Sequence, residues 1–143
     1  MKEQRGFSLI ELLIVVTIIG ILAAVAVPNL LKSRSAANEA SAIASVRTIV
    51  TAQITYSATV GNGSYAADLS ELEGSGLIDP ALASGSKDGY AFVTVGAGDT
   101  FTVNADPTEM GSTGDRGFFS DQSGVIRYAV GTAADAGSPP LGS

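Results

Sequence analysis

The stretch from Arg5 to Leu31 reads RGFSLIELLIVVTIIGILAAVAVPNLL, and it decides the fold of the chain. Residues 12–31 carry no charge, and a helix of about twenty such residues can span a bilayer core of ~30 Å. Glu11 lies at the start of this run, where a carboxylate is usually paired, close to water or functional. The sequence therefore predicts a membrane-competent helix whose one acidic residue needs a partner.

Two ordinary interpretations leave Glu11 without a role. A basic start, an apolar stretch and the small residues Ala24-Val25-Ala26 are typical of a cleaved signal peptide. A plain membrane anchor is the second interpretation, because Lys32 and Arg34 follow the apolar run directly. A charge inside the apolar region weakens both.

Residues 6–11, GFSLIE, follow a short charged leader and offer a third interpretation. This motif closely resembles the processing site of type IV pilins and of the related pseudopilins of type II secretion. The resemblance implies that a prepilin peptidase cuts between Gly6 and Phe7 and methylates the new amine of Phe7. Glycine suits that position because it has no Cβ to obstruct an extended protease groove. Such a cut removes the basic leader and retains the whole apolar helix.

Cleavage gives Glu11 a plausible partner. The new ammonium of Phe7 would lie about one helical turn from Glu11, at ~1.5 Å of rise per residue. In the dry core of a filament an unpaired carboxylate is strongly disfavoured, whereas one that meets a neighbour's ammonium is tolerated. We therefore expect Glu11 to set the axial register between subunits, in agreement with the assembly role that the resemblance implies.

Gly20 and Pro28 interrupt the helical pattern. Pro28 lacks an N–H and crowds the carbonyl of Ala24, so we expect a kink or a loosened turn there. Gly20 lowers helix propensity further. The resemblance implies an unwound stretch between these two residues in assembled filaments, and an ordinary kinked anchor is the alternative.

The helical pattern continues past Pro28 and ends near Gly61-Asn62-Gly63, which is a cluster of helix-breaking residues. Asn62-Gly63-Ser64 also matches a glycosylation sequon, but Asn-Gly is a strong turn former and we predict a turn. The apolar residues of the helical pattern recur at steps of three and four and predict an amphipathic face that supports a sheet. The residues of that face are Leu30, Leu31, Ala36, Ala40, Ile43, Val46, Val50 and Ile54.

The rest of the chain predicts a short helix or loop over residues 65–77, a turn at Asp79-Pro80 and about four strands separated by turns near residues 96–99 and 121–124. The fold class is therefore α+β: a long N-terminal helix packed against a small antiparallel sheet, in agreement with the fold that the resemblance to type IV pilins implies. The expected organisation is a leader (1–6), an apolar membrane or filament-core helix (7–31), an amphipathic continuation (32–60), a globular head (61–132) and a flexible or exposed extended C-terminal tail (133–143).

Composition argues against several classes of function. The chain has no cysteine and no histidine, so it offers no Ser-His-Asp site, no thiolate metal site and no covalent haem motif. A net charge of −6 argues against nucleic acid as a partner. The acidic residues Asp106, Glu109, Asp115 and Asp121 lack EF-hand spacing, and Asp115 and Arg116 are expected to form a surface pair or a turn contact. We predict no enzymatic activity, no cofactor and no metal site.

The resemblance implies a structural function: the major or an abundant pilin of a bacterial type IV pilus, polymerised through its N-terminal helix. The implied partners are further copies of the chain, the prepilin peptidase, an inner-membrane platform protein and an assembly ATPase. The precursor would cross the inner membrane once with its head in the periplasm, and the filament would be extracellular. The alternatives are a type II secretion pseudopilin, disfavoured by the absence of tryptophan, and a minor pilin that acts in adhesion.

Overall fold

The computed structural model describes residue 1 and residues 3–142. These residues form two compact units, Met1–Ser33 and Arg34–Ser143, and helix α1 (Leu9–Thr59) contributes residues to both. In the first unit, α1 consists almost entirely of aliphatic residues, and its helical assignment continues through Gly20 and Pro28. The N-terminal helix and its apolar first half agree with the sequence prediction.

In the second unit, α1 buries one stripe that differs in part from the predicted one. Ala42, Val46, Ile49, Gln53 and Tyr56 are all at most 8% exposed. Three members of the predicted face in this unit, Ala36, Ala40 and Ile54, are exposed, so that prediction was wrong in phase although Val46 and Val50 are buried. Apolarity failed as a guide here because the buried stripe includes a glutamine, whereas Ile54 is 50% exposed.

The long helix ends at Thr59, two residues before the predicted breaker cluster of residues 61–63. Asn62 and Gly63 have φ angles of 51° and 96°, which a helix cannot continue through. The N–H of Gly63 donates to the carbonyl of Ser57 over 2.9 Å. This confirms the turn interpretation of Asn62-Gly63.

Two short helices follow, and each begins at an aspartate. Helix α2 (Leu69–Gly74) has Asp68 as its N-cap, and helix α3 (Pro80–Ala83) has Asp79. The Asp79 carboxylate accepts the N–H of Leu82 over 2.7 Å, with Pro80 at the first helical position. The predicted turn at Asp79-Pro80 is therefore a capped one-turn helix.

The described residues of the head form a five-stranded antiparallel sheet in the order β1-β2-β3-β4-β5, one strand more than predicted. The additional strand is β1, whose two residues are too few to show any alternation. The strands are β1 (Ser86–Lys87), β2 (Tyr90–Ala97), β3 (Thr100–Pro107), β4 (Arg116–Asp121) and β5 (Arg127–Val130).

Two-residue turns fix the register of the first two hairpins. Asp88 and Gly89, with φ angles of 48° and 76°, join β1 to β2 in the manner of a type I′ turn. Gly98 and Asp99 join β2 to β3, and only Gly98 has a positive φ (62°), as a type II′ turn requires. The second turn is tighter than the predicted 96–99 because β2 continues to Ala97.

The sheet buries residues on both faces. Tyr90, Phe92, Phe101, Val103 and Phe118 belong to the same core cluster as the buried stripe of α1. On the other face, Phe119 and Ala134 are buried outside that cluster, at 7% and 3% exposure. The main core is therefore a helix on a sheet, with a smaller apolar contact on the outer face.

The C-terminal segment lies along β5. The N–H of Tyr128 donates to the carbonyl of Pro139 over 3.0 Å, and the N–H of Leu141 donates to that of Ile126 over 2.7 Å. Arg127 adds a bond of 2.9 Å from its Nη1 to the carbonyl of Ser138. These three bonds attach the segment to residues 126–128, and residues 136–137 and 141–142 form turns, so the flexibility expected of the tail stays a prediction.

Candidate processing and assembly site

The predicted cleavage position lies just before the first helix. Residues 3–8 have no helical or strand assignment, and α1 begins at Leu9, two residues after Phe7. Phe7 is 83% exposed, and a Cβ added to Gly6 would meet nothing within 4 Å. The Gly6–Phe7 bond is therefore accessible, and the need for glycine at position 6 does not come from the fold of the chain itself.

Glu11 has a partner in the uncleaved chain. Its Oε2 accepts the backbone N–H of Ser8 over 2.9 Å, and the carbonyl of Ser8 accepts the N–H of Leu12 over 3.3 Å. Ser8 is thus the N-cap and Glu11 the third helical residue, the spacing of a capping box. This contact was not predicted above, although Ser8-Leu9-Ile10-Glu11 has the S-x-x-E pattern that is typical of a capping box.

The surface of the first unit is apolar on every side. The side chains concerned are all at least half exposed, from 51% for Val15 to 83% for Phe7. α1 is the helix among the described residues that has the length and composition to cross a membrane, with a mean hydropathy of 2.9 over its most apolar window and none of that window buried. Such a surface requires lipid or other protein around it. Its large residues are Phe7, Leu9, Ile10, Leu12, Leu13, Ile14, Val15, Val16, Ile18, Ile19, Ile21, Leu22, Val25, Val27, Leu30 and Leu31.

Gly20 and Pro28 lie inside the continuous helix. A Cβ on Gly20 would meet nothing within 4 Å, so the glycine is not required by packing in the single chain. Pro28 has no N–H to offer the carbonyl of Ala24. One residue further along, Asn29 Nδ2 donates to the carbonyl of Val25 over 3.1 Å and gives that carbonyl a side-chain bond. Loosening between Gly20 and Pro28 stays a prediction for the assembled filament.

In the head, Glu39 joins α1 to the start of β4. Its carboxylate accepts the N–H of Asp115 and the Nε of Arg116, each over 2.9 Å, and lies 2.8 Å from Nη2 of Arg116. The Arg116 guanidinium also lies 5.5 Å from the ring centroids of both Phe118 and Tyr128. The expected pair of Asp115 with Arg116 was wrong: both residues bind Glu39, which local sequence could not indicate.

Tyr90 lies behind this ion pair. Its hydroxyl donates to the carbonyl of Arg116 over 2.8 Å. Burial, together with the negative charge of Glu39, raises the pKa of Tyr90 far above its usual range. A Cβ on Gly114 would come within 2.1 Å of the Tyr90 hydroxyl, so this position must remain glycine. The hydroxyl is a neutral structural donor and has no features of a catalytic base.

Gln53 makes a further polar contact between α1 and the rest of the head, and this one is buried. Its side chain is fully buried, and its Nε2 donates over 3.0 Å both to the carbonyl of Ala66 and to Oγ1 of Thr94. Its Oε1 accepts the N–H of Ala66 over 2.9 Å. One side chain thus satisfies both backbone groups of Ala66 and links α1 to β2.

The four acidic residues considered for calcium do not converge. Asp121 accepts the N–H of Ser123 in the β4–β5 turn, and Asp115 contributes its backbone to Glu39. Asp106 has a buried Oδ1 without a hydrogen-bond partner, and burial raises its pKa. Within residues 1 and 3–142 there is no group of three or more acidic side chains that could hold a metal ion.

A methylation motif at the N-terminus, one apolar helix and an antiparallel head together define a prepilin-type protein. The family profile described as "Prokaryotic N-terminal methylation motif" matches residues 1–27. The type IV wide pilus major component PilA4 of Thermus thermophilus is 36% identical over 113 residues, which are 75% of this chain and 85% of the relative. The chain belongs to the type IV pilin family.

Two further relatives match shorter parts. The type IV major pilin protein PilA of Myxococcus xanthus is 49% identical over 51 residues, 36% of this chain and 23% of that protein. The type II secretion system core protein G of Escherichia coli is 32% identical over 91 residues, 62% of this chain and 61% of that protein. The resemblance recognised in GFSLIE is therefore confirmed, for pilins first and pseudopilins second.

Proposed function

We propose that the chain is a structural subunit of a bacterial type IV pilus, the major pilin or an abundant one. The observation that supports this most is the fully exposed apolar surface of residues 7–31 directly behind the methylation motif. A helix with no buried face cannot be stable in water as part of a monomer. Lipid would cover it before assembly, and neighbouring helices would cover it afterwards.

Maturation by a prepilin peptidase would cut the accessible bond between Gly6 and Phe7 and leave a methylated Phe7. The leader (1–6) would be lost, residues 7–31 would form the filament core, residues 32–60 would support the head (61–132), and the tail (133–143) would lie on its surface. An inner-membrane platform protein and an assembly ATPase would extract the subunit. Before extraction the helix would cross the inner membrane once, with the head in the periplasm.

Glu11 would change partners in this process. In the precursor its carboxylate caps the helix through the N–H of Ser8. In a filament the carboxylate would be removed from water, and the ammonium of a neighbouring Phe7 would compensate its charge. Loosening between Gly20 and Pro28 would let the core helices adjust their length as they assemble.

Two substitutions separate the capping role of Glu11 from its charge. Glu11→Gln retains an acceptor for the N–H of Ser8 and removes the charge, whereas Glu11→Ala removes both. We expect normal cleavage in both variants and a strong loss of sheared filaments in both, measured by mass spectrometry of the N-terminus and by electron microscopy. Filament numbers equal to wild type in Glu11→Gln would show that the charge has no part in assembly.

The proposal as a whole is tested by the wild-type product. Long fibres whose subunits begin at methylated Phe7 are the expected result. A soluble product that begins after Ala26 would instead support signal-peptidase cleavage. Similarity to type II secretion core protein G keeps a pseudopilin as the second candidate. It would be favoured if the chain restored protein secretion, and formed no surface fibres, in cells that lack their own core pseudopilin.

A further inference from the structure

A groove on the exposed side of α1 combines one charged side chain with an apolar floor. Its volume is about 310 Å³, and it lies between α1 and the loop that follows α2. Ala52 is 4% exposed and Leu77 packs against the core, so the floor is apolar. The lining residues are Arg47, Thr48, Thr51, Ala52, Thr55 and Leu77; we call this surface the Arg47 groove.

The threonine hydroxyls of the groove are already satisfied. Thr48, Thr51 and Thr55 each donate to the backbone carbonyl four residues earlier, over 2.9–3.0 Å. A hydroxyl that is bonded within its own helix does not need water. Covering it with protein therefore leaves no donor without a partner. The walls therefore offer methyl groups, and the groove can be buried at little polar cost.

Arg47 is the charged group of the groove. Among the described residues its guanidinium has no ion pair and no hydrogen bond. By contrast, Arg116 of β4 binds Glu39, and Arg127 of β5 binds the carbonyl of Ser138. A cation above an apolar floor selects a segment that brings one carboxylate beside small apolar groups.

The tip of the β2–β3 hairpin has this chemistry. Asp99 is exposed in a two-residue turn beside Ala97 and Gly98, and its carboxylate has no partner among the described residues. The tip is held in place because the carbonyl of Gly98 accepts the N–H of Tyr65 over 2.9 Å. Most other head carboxylates are engaged within the chain: Asp68 and Asp79 as helix caps, Glu71 with Tyr56, Asp88 with Ser41, and Asp135 with Ser138.

We propose that the Arg47 groove receives the β2–β3 hairpin tip of a second copy of the chain, with Asp99 paired to Arg47. The inference rests on the proposed filament function and specifies one contact between heads. Groove and tip are different surfaces, so the contact is heterologous, and a contact of this kind can repeat along a filament. Three other exposed carboxylates of the head, those of Glu73, Glu109 and Asp115, also have no partner among the described residues and are the competing carboxylates.

The absence of cysteine from the chain permits a direct test. Thr51 lies one helical turn from Arg47, on the same side of α1. Filaments that carry Thr51→Cys together with Asp99→Cys are treated with an oxidant or a short bis-maleimide and run on non-reducing gels. We expect dimers and higher ladders, and only monomers from either single variant. A bond within one chain would give no ladder.

Thr51→Cys combined with Glu73→Cys or Glu109→Cys is the matched control. Ladders from either control that exceed those of the Asp99 pair would overturn the proposal, since the groove would then bind a different part of the neighbour. Intact filaments in which the Asp99 pair gives no more dimer than the single variants would overturn it as well.

Charge reversal tests the pairing independently. Arg47→Glu or Asp99→Arg should lower filament yield about tenfold because like charges then face each other. The double variant should recover most of the loss. Lys87→Glu and Glu109→Arg make the same changes outside the contact and should assemble normally. Equal yields from the single and double variants would refute the pairing.

Failure of the contact is distinguishable from failure of the proposed function. If wild-type cells make methylated fibres while the cross-links and the charge rescue are absent, the contact is wrong and the pilin function remains. If wild-type cells make no fibres at all, the function itself fails.

Discussion

Replacing Gln53 with methionine should destabilise the head strongly. Methionine is similar in length and fills the same space, so the main loss is the set of hydrogen bonds rather than packing. The N–H and the carbonyl of Ala66, which is fully buried, would both lose their partner. Each orphaned buried group costs about 1–3 kcal/mol, which gives about 2–6 kcal/mol for the two groups together. For a domain of this size that corresponds to a fall in Tm of about 10–20 °C.

The assay uses the full-length protein in detergent. All four tyrosines, Tyr56, Tyr65, Tyr90 and Tyr128, lie in the second unit, which contains the head, and the chain has no tryptophan. Thermal melting followed by near-ultraviolet circular dichroism therefore reports the packing of the head, without a signal from the apolar helix.

Gln122→Met is the matched control for this variant. Gln122 is exposed in the β4–β5 turn, so its replacement should change stability by about 0.5 kcal/mol or less. A Tm for Gln53→Met within about 3 °C of the control would refute the reasoning, because the buried bonds would then contribute almost nothing.

Two further substitutions are tested by the same melts. Glu39→Gln should lower the free energy of unfolding by about 1–3 kcal/mol. This is less than the loss from breaking a fully buried ion pair, because Arg116 is one-third exposed. An unchanged Tm would contradict the role given to the Glu39 carboxylate. Burial raises the pKa of Asp106 above 3.8, so the Asp106 carboxyl keeps its proton to a higher pH in the folded chain than in the unfolded chain. The free energy of unfolding therefore falls as pH rises from about 4 through the folded pKa. Asp106→Asn should therefore match wild type near pH 3 and be more stable at pH 7, and a constant difference across this range would contradict a buried, unpartnered carboxyl.

The sequence was sufficient for features that depend on near neighbours. The apolar run, the GFSLIE motif, the Asn62-Gly63 turn and the strands around Phe92 and Phe101 all follow from local periodicity or turn chemistry. Even the contact of Glu11 with Ser8 was readable, because a capping box spans only four residues.

Features that depend on distant residues were not predictable. Glu39 and Arg116 are 77 positions apart, so nothing near either residue indicates the pair. Gln53 resembles an exposed polar position until the fold brings the backbone of Ala66 against it. The phase of the buried stripe was wrong for the same reason: what α1 buries depends on what the sheet presents to it, including polar atoms.

The two edges of the sheet also affect whether the heads can aggregate by pairing strands between chains. One edge strand, β1, has two residues, and the other edge is covered by a segment that contains Pro139 and Pro140, which have no N–H to donate. Open strand edges are where heads stored side by side at high concentration would begin cross-β aggregation. With one edge strand this short and the other edge covered, the exposed helix is the part of the described chain most available for self-association, and crowded heads would resist conversion to amyloid.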